Sequence, residues 1–407
     1  MKTATYIAVK IPLSPSKTQG AMLRRYAGCA RWVFNWALAR KRDSYALTGK
    51  SPSACDLTKE ITQLKKTDDY SWLREISKHI PEQAISNCDA AFKNFFRRVK
   101  AKQSPGYPKF KSRFKATPAF SFGAVGSAGP LVRMDERGVT LPKIGFIRSA
   151  RRHVRLVEGR AIRATVRCEN GRWWCSVVYE VPAKLFVSNG KTAIGVDLGI
   201  TTFATLSSGE KINSPKPLKK NMKRLKRLQR RLSASQRGSN RREKKRLRVS
   251  RLHERIRNIR TTFLHGITAM LAKNHGEIYI EDLSVRNMMR NRHLSGAIGD
   301  LGWGLFRTQL EYKSAREGAV LVVADRWYPS SKTCSHCGQI AKSLPLSVRE
   351  WRCDGCGSYH DRDINAAKNL VQLGANSPEV TRVEIGDQDG ESHPVPVDET
   401  RILEGCL

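Results

Sequence analysis

The chain has 407 residues, enough for two or three domains with ample buried core. Its 74 Lys and Arg against 36 Asp and Glu leave a formal net charge of +38, which resists compaction unless a polyanion neutralises it, and phosphate backbones are the usual partner. A hydrophobic share of 40% fits a globular protein, and no apolar run approaches membrane-spanning length, so no membrane partner is expected and the cytosol is the expected compartment. The opening MKTATYIAVKIPLSP is broken by Lys10 and Pro12 before a signal-peptide core could form.

Residues 4–11 read as a short strand, and from Ser16 the pattern turns helical. Leu23, Ala27, Ala30, Phe34 and Leu38 recur at steps of three and four, with Arg24, Arg25, Arg31, Arg40 and Lys41 among them. Further helices are expected over 56–65 and 81–100, the second ending in AAFKNFFRRVK. There Phe92, Phe95 and Phe96 alternate with Lys93, Arg97 and Arg98, a pattern that serves base stacking but equally a helical core stripe. Pro105 and Pro108 end that helix in the loop SPGYPKFKSRFK, which carries Lys109 and Lys111.

From about 119 to 182 the period becomes two, and Asn170-Gly171 supplies the tight turn of the clearest hairpin. Such short strands suggest a small barrel or sandwich that the strand at 4–11 completes, with the helical region inserted between. The stretch IGVDLGITTFATLSSG, residues 194–209, then forms a hairpin around Asp197. Locally, that aspartate reads as a turn residue, part of a phosphate loop, or a metal ligand. Two amphipathic helices follow: in the first Leu218, Met222, Leu225, Leu228 and Leu232 share a face, and in the second Leu252, Ile256, Ile259, Phe263, Ile267 and Met270 do. Residues 216–260 hold twenty Lys and Arg against Glu243 and Glu254 alone, too one-sided for ordinary salt-bridged helices. A strand at 277–282, a helix around 303–317 and a strand at 319–324 complete an α/β sheet domain.

Cys334, Cys337, Cys353 and Cys356 form two CxxC pairs fifteen residues apart, a zinc-site spacing. Four thiolates close a tetrahedral structural site and leave no open position for catalysis. The remaining six cysteines are scattered and read as small buried or indifferent thiols. Immediately after the second pair, HDRDINAAKNL places Asp361 and Asp363 at a helix start, where carboxylates are favoured and a simple cap is one reading. Asp197, Glu281 and this aspartate lie roughly eighty residues apart, so only a fold brings them together. Three converging carboxylates repel unless divalent cations fill the site, and two such cations clamp a phosphodiester. Asp282, next to Glu281 on an extended strand, faces away.

GVDLG, then IYIEDL, then CSHCG…WRCDGCGSYHDRDINAA resembles, in that order, the TnpB proteins encoded by insertion sequences, compact relatives of the type V CRISPR effector nucleases. QGAMLRRYAGCARWVFNWALA, GYPKFKSR, WGLFRTQLEYKSAREG and YPSSKTCSHCG fit the same family, so the resemblance covers nearly the whole chain except the acidic tail. It implies an RNA-guided DNA endonuclease that hydrolyses DNA phosphodiesters with two Mg2+ ions at a guide-complementary target flanked by a short DNA motif. The implied catalytic and Mg2+-binding triad is Asp197, Glu281 and Asp363, with Asp363 preferred over Asp361 on the family's DxNAA aspartate. Zn2+ would sit on the four paired cysteines. A guide RNA and double-stranded DNA are the implied partners of a cytoplasmic, nucleoid-associated monomer.

The implied fold is multidomain α+β. An RNase H-like (RuvC) α/β nuclease domain carries an inserted zinc ribbon, and an N-terminal β-barrel carries an inserted helical bundle. The expected division is a first barrel strand at 1–13, helical recognition domain at 14–118, the rest of the barrel at 119–187, and the nuclease domain at 188–330 with a basic arm at 216–270. The zinc ribbon follows at 331–358, the end of the nuclease domain at 359–372, and an acidic tail expected to lack order at 373–407. Arg24, Arg31, Lys93, Arg97, Lys109 and Lys111, with Lys223, Arg227, Arg230 and Lys245 of the arm, are the expected nucleic-acid contacts; a solvated basic face is the rival for each. Rival functions are a catalytically quiet RNA-guided DNA binder, a transposase or its accessory, and an ATPase of the actin and heat-shock chaperone superfamily, whose phosphate loop also reads like GIDLGTT. The last needs a second phosphate loop and a large second lobe, and the sequence holds neither.

Overall fold

The computed structural model describes residues 5–114, 116–126, 129–154, 156–182, 190–345, 347–376, 381–382 and 396–397. The acidic tail therefore lies, beyond residue 376 and apart from two dipeptides, outside the described residues. The chain divides into two units, Met1–Ala183 with Ser392–Asp398, and Lys184–Glu391 with Glu399–Leu407.

In the first unit β1 (Thr5–Leu13) leads to α1 (Lys17–Thr48), α2 (Ala54–Leu64), a 3-10 turn at Asp68–Glu75 and α3 (His79–Lys100). Ser16 starts α1 with a reciprocal cap: its hydroxyl accepts the Gln19 N–H while the Gln19 side chain accepts the Ser16 N–H. Leu23, Ala27, Phe34 and Leu38 line the buried stripe of this single helix and pack on α3. Short strands follow: β2 (Ala119–Gly123), β3 (Val125–Gly126), β4 (Gly129–Pro130), β5 (Arg133–Asp135), β6 (Gly138–Leu141), β7 (Gly145–Arg148), β8 (Arg160–Glu169) and β9 (Arg172–Val181). Asn170 and Gly171 both take positive φ (52° and 77°) to turn β8 into β9. β1 pairs antiparallel with β9 from Thr5↔Val181 to Leu13↔Trp173, so a strand at the start of the chain becomes an inner strand of the sheet that ends the unit.

In the second unit come β10 (Ala193–Leu198), β11 (Ala204–Leu206), β12 (Lys211–Ile212), α4 (Pro217–Ser233), α5 (Asn240–Asn274), β13 (Glu277–Glu281), α6 (Val285–Met288), α7 (Ser295–Leu301), α8 (Trp303–Glu317) and β14 (Val320–Ala324). β15 (Glu350–Arg352), β16 (Tyr359–Asp361), α9 (Arg362–Asn376) and β17 (Thr381–Arg382) complete it, while β18 (Pro396–Val397) pairs parallel to β1 in the first unit. The sheet order is β12-β11-β10-β13-β14-β17, with β10, β13 and β14 parallel and antiparallel strands at both edges.

The parallel strands are apolar on both faces because helices cover both. Ile194, Val196, Ile278, Ile280, Leu321 and Val323 face the core shared with α5 and α8. On the opposite face Tyr279, Val322 and Ala324 pack on Leu370 of α9. Among the described residues no helix is long and apolar enough to cross a membrane.

Candidate active site and metal centre

β10 and β13 run parallel in the register Val196↔Ile280, which sets Asp197 level with Glu281 at the carboxyl ends of adjacent strands. Side chains alternate along a strand, so Gly195 and Asp197 share the face turned to α9, as do Tyr279 and Glu281. At Gly195 helix and sheet come together with no room for a side chain: a Cβ there would lie 1.9 Å from the Ala367 carbonyl oxygen. Asp363 stands four residues before Ala367, one turn along the same face of α9, about 6 Å away. Asp197 stands two residues beyond Gly195, about 6.6 Å along the strand. The two steps are alike in length, and the Asp363 charge acts on Asp197. Burial, then the charges of Glu281 and Asp363, push the Asp197 carboxyl well above the ordinary range, against the pull of Arg362 and Arg349. Such a cluster asks for a proton or a cation.

The neighbouring acids have other partners. Asp361 accepts the Asp363 and Ile364 N–H groups at 3.0 and 3.1 Å, capping α9, and pairs with Lys211 at 2.6 Å. Asp282 pairs with Arg307 at 2.7 Å and with Arg326. Glu281 accepts a hydrogen bond from the Ser330 hydroxyl at 2.6 Å, and Arg349 lies 3.5 Å from Asp363. Ser330 and Arg349 escaped the sequence reading, as did Asn365 and Asn369. These two asparagines, one turn apart on α9, donate to the Thr333 carbonyl at 2.7 and 2.6 Å, and Asn369 donates to that of Ser330 at 2.7 Å. Their i, i+4 spacing was the available signal, but the loop they hold is not identifiable from spacing alone.

The four cysteines of the CxxC pairs converge, with all sulfurs within 4.8 Å of one another. Cys334 and Cys356 lie 3.7 Å apart, Cys337 and Cys353 3.6 Å. A zinc ion with Zn–S bonds of about 2.3 Å requires sulfurs about 3.8 Å apart at tetrahedral corners, so the residues present fit that ion. Two matched turns build the corner: Gly338 and Gly357, at φ 78° and 72°, each donate to the first cysteine of their pair at 2.9 Å.

Of the expected nucleic-acid contacts in the first unit, Arg24, Lys93, Arg97 and Lys109 are exposed and Arg31 is half-buried. Lys93 also pairs with Asp89 at 3.3 Å. Lys111 sets its ammonium 3.5 Å from the centre of the Phe34 ring, and burial there pulls its pKa down. In the second unit Lys223, Arg227 and Arg230 are exposed on α4, whereas Lys245 donates to the Ser235 hydroxyl at 2.8 Å and helps close the turn between α4 and α5.

Fold and sites together define a multidomain α/β protein with a carboxylate cluster at the ends of parallel strands and a four-cysteine metal corner beside it. Residues 176–292 match the family described as "Probable transposase", 303–370 "Cas12f1-like, TNB domain", and 1–50 "Helix-turn-helix domain"; the described part of that last segment is one strand and one continuous helix. A protein of Streptomyces pristinaespiralis named "Putative RNA-guided DNA endonuclease" is 38% identical over 90% of this chain and 89% of its own length. "Putative RNA-guided DNA endonuclease InsQ" of Escherichia coli is 33% identical over 90% and 92%. The protein in a cryo-EM structure of the Cas12f1–sgRNA–target DNA complex shares the fold, with a TM-score of 0.52 at 11% identity, covering 93% of this chain and all of that one. The chain belongs to the TnpB family.

Proposed function

We propose that the protein is an RNA-guided DNA endonuclease of an insertion sequence, cutting DNA at a RuvC-like site made by Asp197, Glu281 and Asp363. The observation that carries this reading is the convergence of those three carboxylates in a chain whose relatives bear that name. The parallel strands with an antiparallel edge and α9 across one face support an RNase H-like nuclease domain, and the first unit's strands support a β-barrel with inserted helices. Two Mg2+ ions, when bound, would supply activation of water and stabilisation of the leaving oxygen.

The chain's own groups prepare the site. The close approach of α9 at Gly195 supports bringing Asp363 towards Asp197, and the Ser330 hydroxyl holds one Glu281 oxygen, fixing the side chain's rotation. Arg349 balances Asp363 from the edge. The cysteine corner suits structural Zn2+, since its four positions are all taken by protein sulfur. The guide RNA would pair with the target, and basic side chains of α1, α3 and α4 would hold the nucleic-acid backbones.

The test is the protein purified with co-expressed RNA from the element's 3′ flank, given a plasmid library with randomised bases beside a guide-matched target. Magnesium-dependent cutting is expected, falling to background in Asp197→Ala and in Glu281→Ala. Cutting that persists in both variants would overturn the assignment.

A further inference from the structure

The loop that leaves β14 carries a tryptophan that nothing covers. Trp327 is 85% exposed, yet the backbone beneath it is fastened on both sides. Before it, Arg326 Nε donates to the Asp282 carbonyl at 3.2 Å, and the Asp325 carboxylate accepts the Trp327 N–H at 2.7 Å. After it, the Tyr328 hydroxyl donates to the Asn369 carbonyl at 3.4 Å and the Ser330 hydroxyl to Glu281 at 2.6 Å. Ser330 stands three positions after Trp327, so their Cα atoms lie within about 11 Å of each other. The loop that bears the indole is thus tied to the strand end that carries Glu281 and Asp282. The chain neighbours of Trp327, Arg326 and Tyr328, line a cleft of about 250 Å³ together with Glu281, Leu283, Met288 and Leu370.

A large flat ring held above a fixed loop, with a guanidinium beside it, suits a nucleobase. Every base offers a π-face, and stacking loses little freedom when the platform is already anchored. Bases within a duplex are covered by their neighbours, so only an unpaired strand can use such a platform. We propose that Trp327 stacks on an unpaired base of the DNA strand entering the carboxylate cluster, next to the bond to be cut. The proposal rests on the nuclease reading for its substrate. Its occupant is DNA rather than guide RNA because the platform's loop is fastened to the strand end that carries Glu281, where the strand to be hydrolysed must pass.

The test uses the full chain with its co-purified guide RNA and a matched target carrying 2-aminopurine beside the mapped cut. Binding is followed without Mg2+ and without chelator, which would strip zinc, so the fluorescence does not depend on cleavage. Quenching by the native protein, lost in Trp327→Ala and largely retained in Trp327→Phe, is expected. Single-turnover cutting by Trp327→Ala should slow by roughly five- to a hundred-fold, with target binding and melting temperature unchanged. Native quenching and native rate in Trp327→Ala would overturn the proposal, as would quenching seen only with 2-aminopurine in the guide RNA. Tryptophan-dependent quenching without any cutting by the native protein would sink the nuclease reading and leave the platform standing.

Discussion

Gly195 sets the spacing of the carboxylates, because its missing side chain lets α9 reach the sheet. A methyl group there would meet the Ala367 carbonyl at 1.9 Å, far inside contact distance. Gly195→Ala should therefore cost about 1–3 kcal/mol or more, seen as a lower urea midpoint, and should abolish cutting by moving Asp363 from Asp197. Asp89 is a different case. Burial raises its pKa, but hydrogen bonds from the buried Lys41 ammonium at 3.1 Å and from Lys93 outweigh it, so the folded-state value lies below the ordinary one. A depressed carboxylate pKa stabilises the fold above the unfolded value and loses that contribution as pH falls through the folded value. Asp89→Asn should thus cost about 1–3 kcal/mol at pH 7, and the gap in urea midpoint from the native protein should close as pH drops below the usual carboxylate range.

α9 joins the two metal-type sites. Its first turn carries Asp363 and Asn365, and its second Ala366, Ala367 and Asn369, which grips the loop leading into the cysteine corner. Cys334→Ser opens that corner and should release close to one zinc per chain on isolation, counted with a colorimetric chelator, together with a loss of soluble protein. The basic arm has its own anchor. The buried Asp300 carboxylate of α7 accepts the Leu218 and Lys219 N–H groups at the start of α4, at 2.9 to 3.1 Å. Asp300→Ala removes a cap, at a cost of about 0.5–2 kcal/mol. Faster hydrogen exchange confined to the first turns of α4 would report it; unchanged exchange there would refute the anchor.

Over the whole chain, a formal charge of +38 makes any nucleic-acid complex strongly salt-dependent. α4 contributes heavily, since no acidic residue interrupts it. Replacing Lys223, Arg227 and Arg230 together with Gln should lower the slope of log affinity against log salt by about 2 to 3, if each meets one phosphate. A slope unchanged across 50–300 mM salt, measured by filter binding, would remove α4 from the interface.

The CxxC pairs, the helix and strand periods, the basic arm and the three acids were all legible in order, because each depends on local spacing or on residue type. Asp197 in IGVDLGITTFATLSSG could not be told from a phosphate-loop residue, since the same short turn serves both. The ladder register that sets Asp197 level with Glu281, and the contact at Gly195 that draws α9 onto the sheet, depend on strands and a helix more than eighty residues apart. Asp361 and Asp363 are both acids at a helix start, and only the resemblance to the family's DxNAA aspartate favours Asp363. Their partners differ: Asp361 caps α9 and pairs with Lys211, while Asp363 lies beside Arg349 and its charge acts on Asp197. Ser330, Arg349 and Trp327 carry no signature of their own, because a serine, an arginine or a tryptophan gains such a part only from what long-range packing sets beside it.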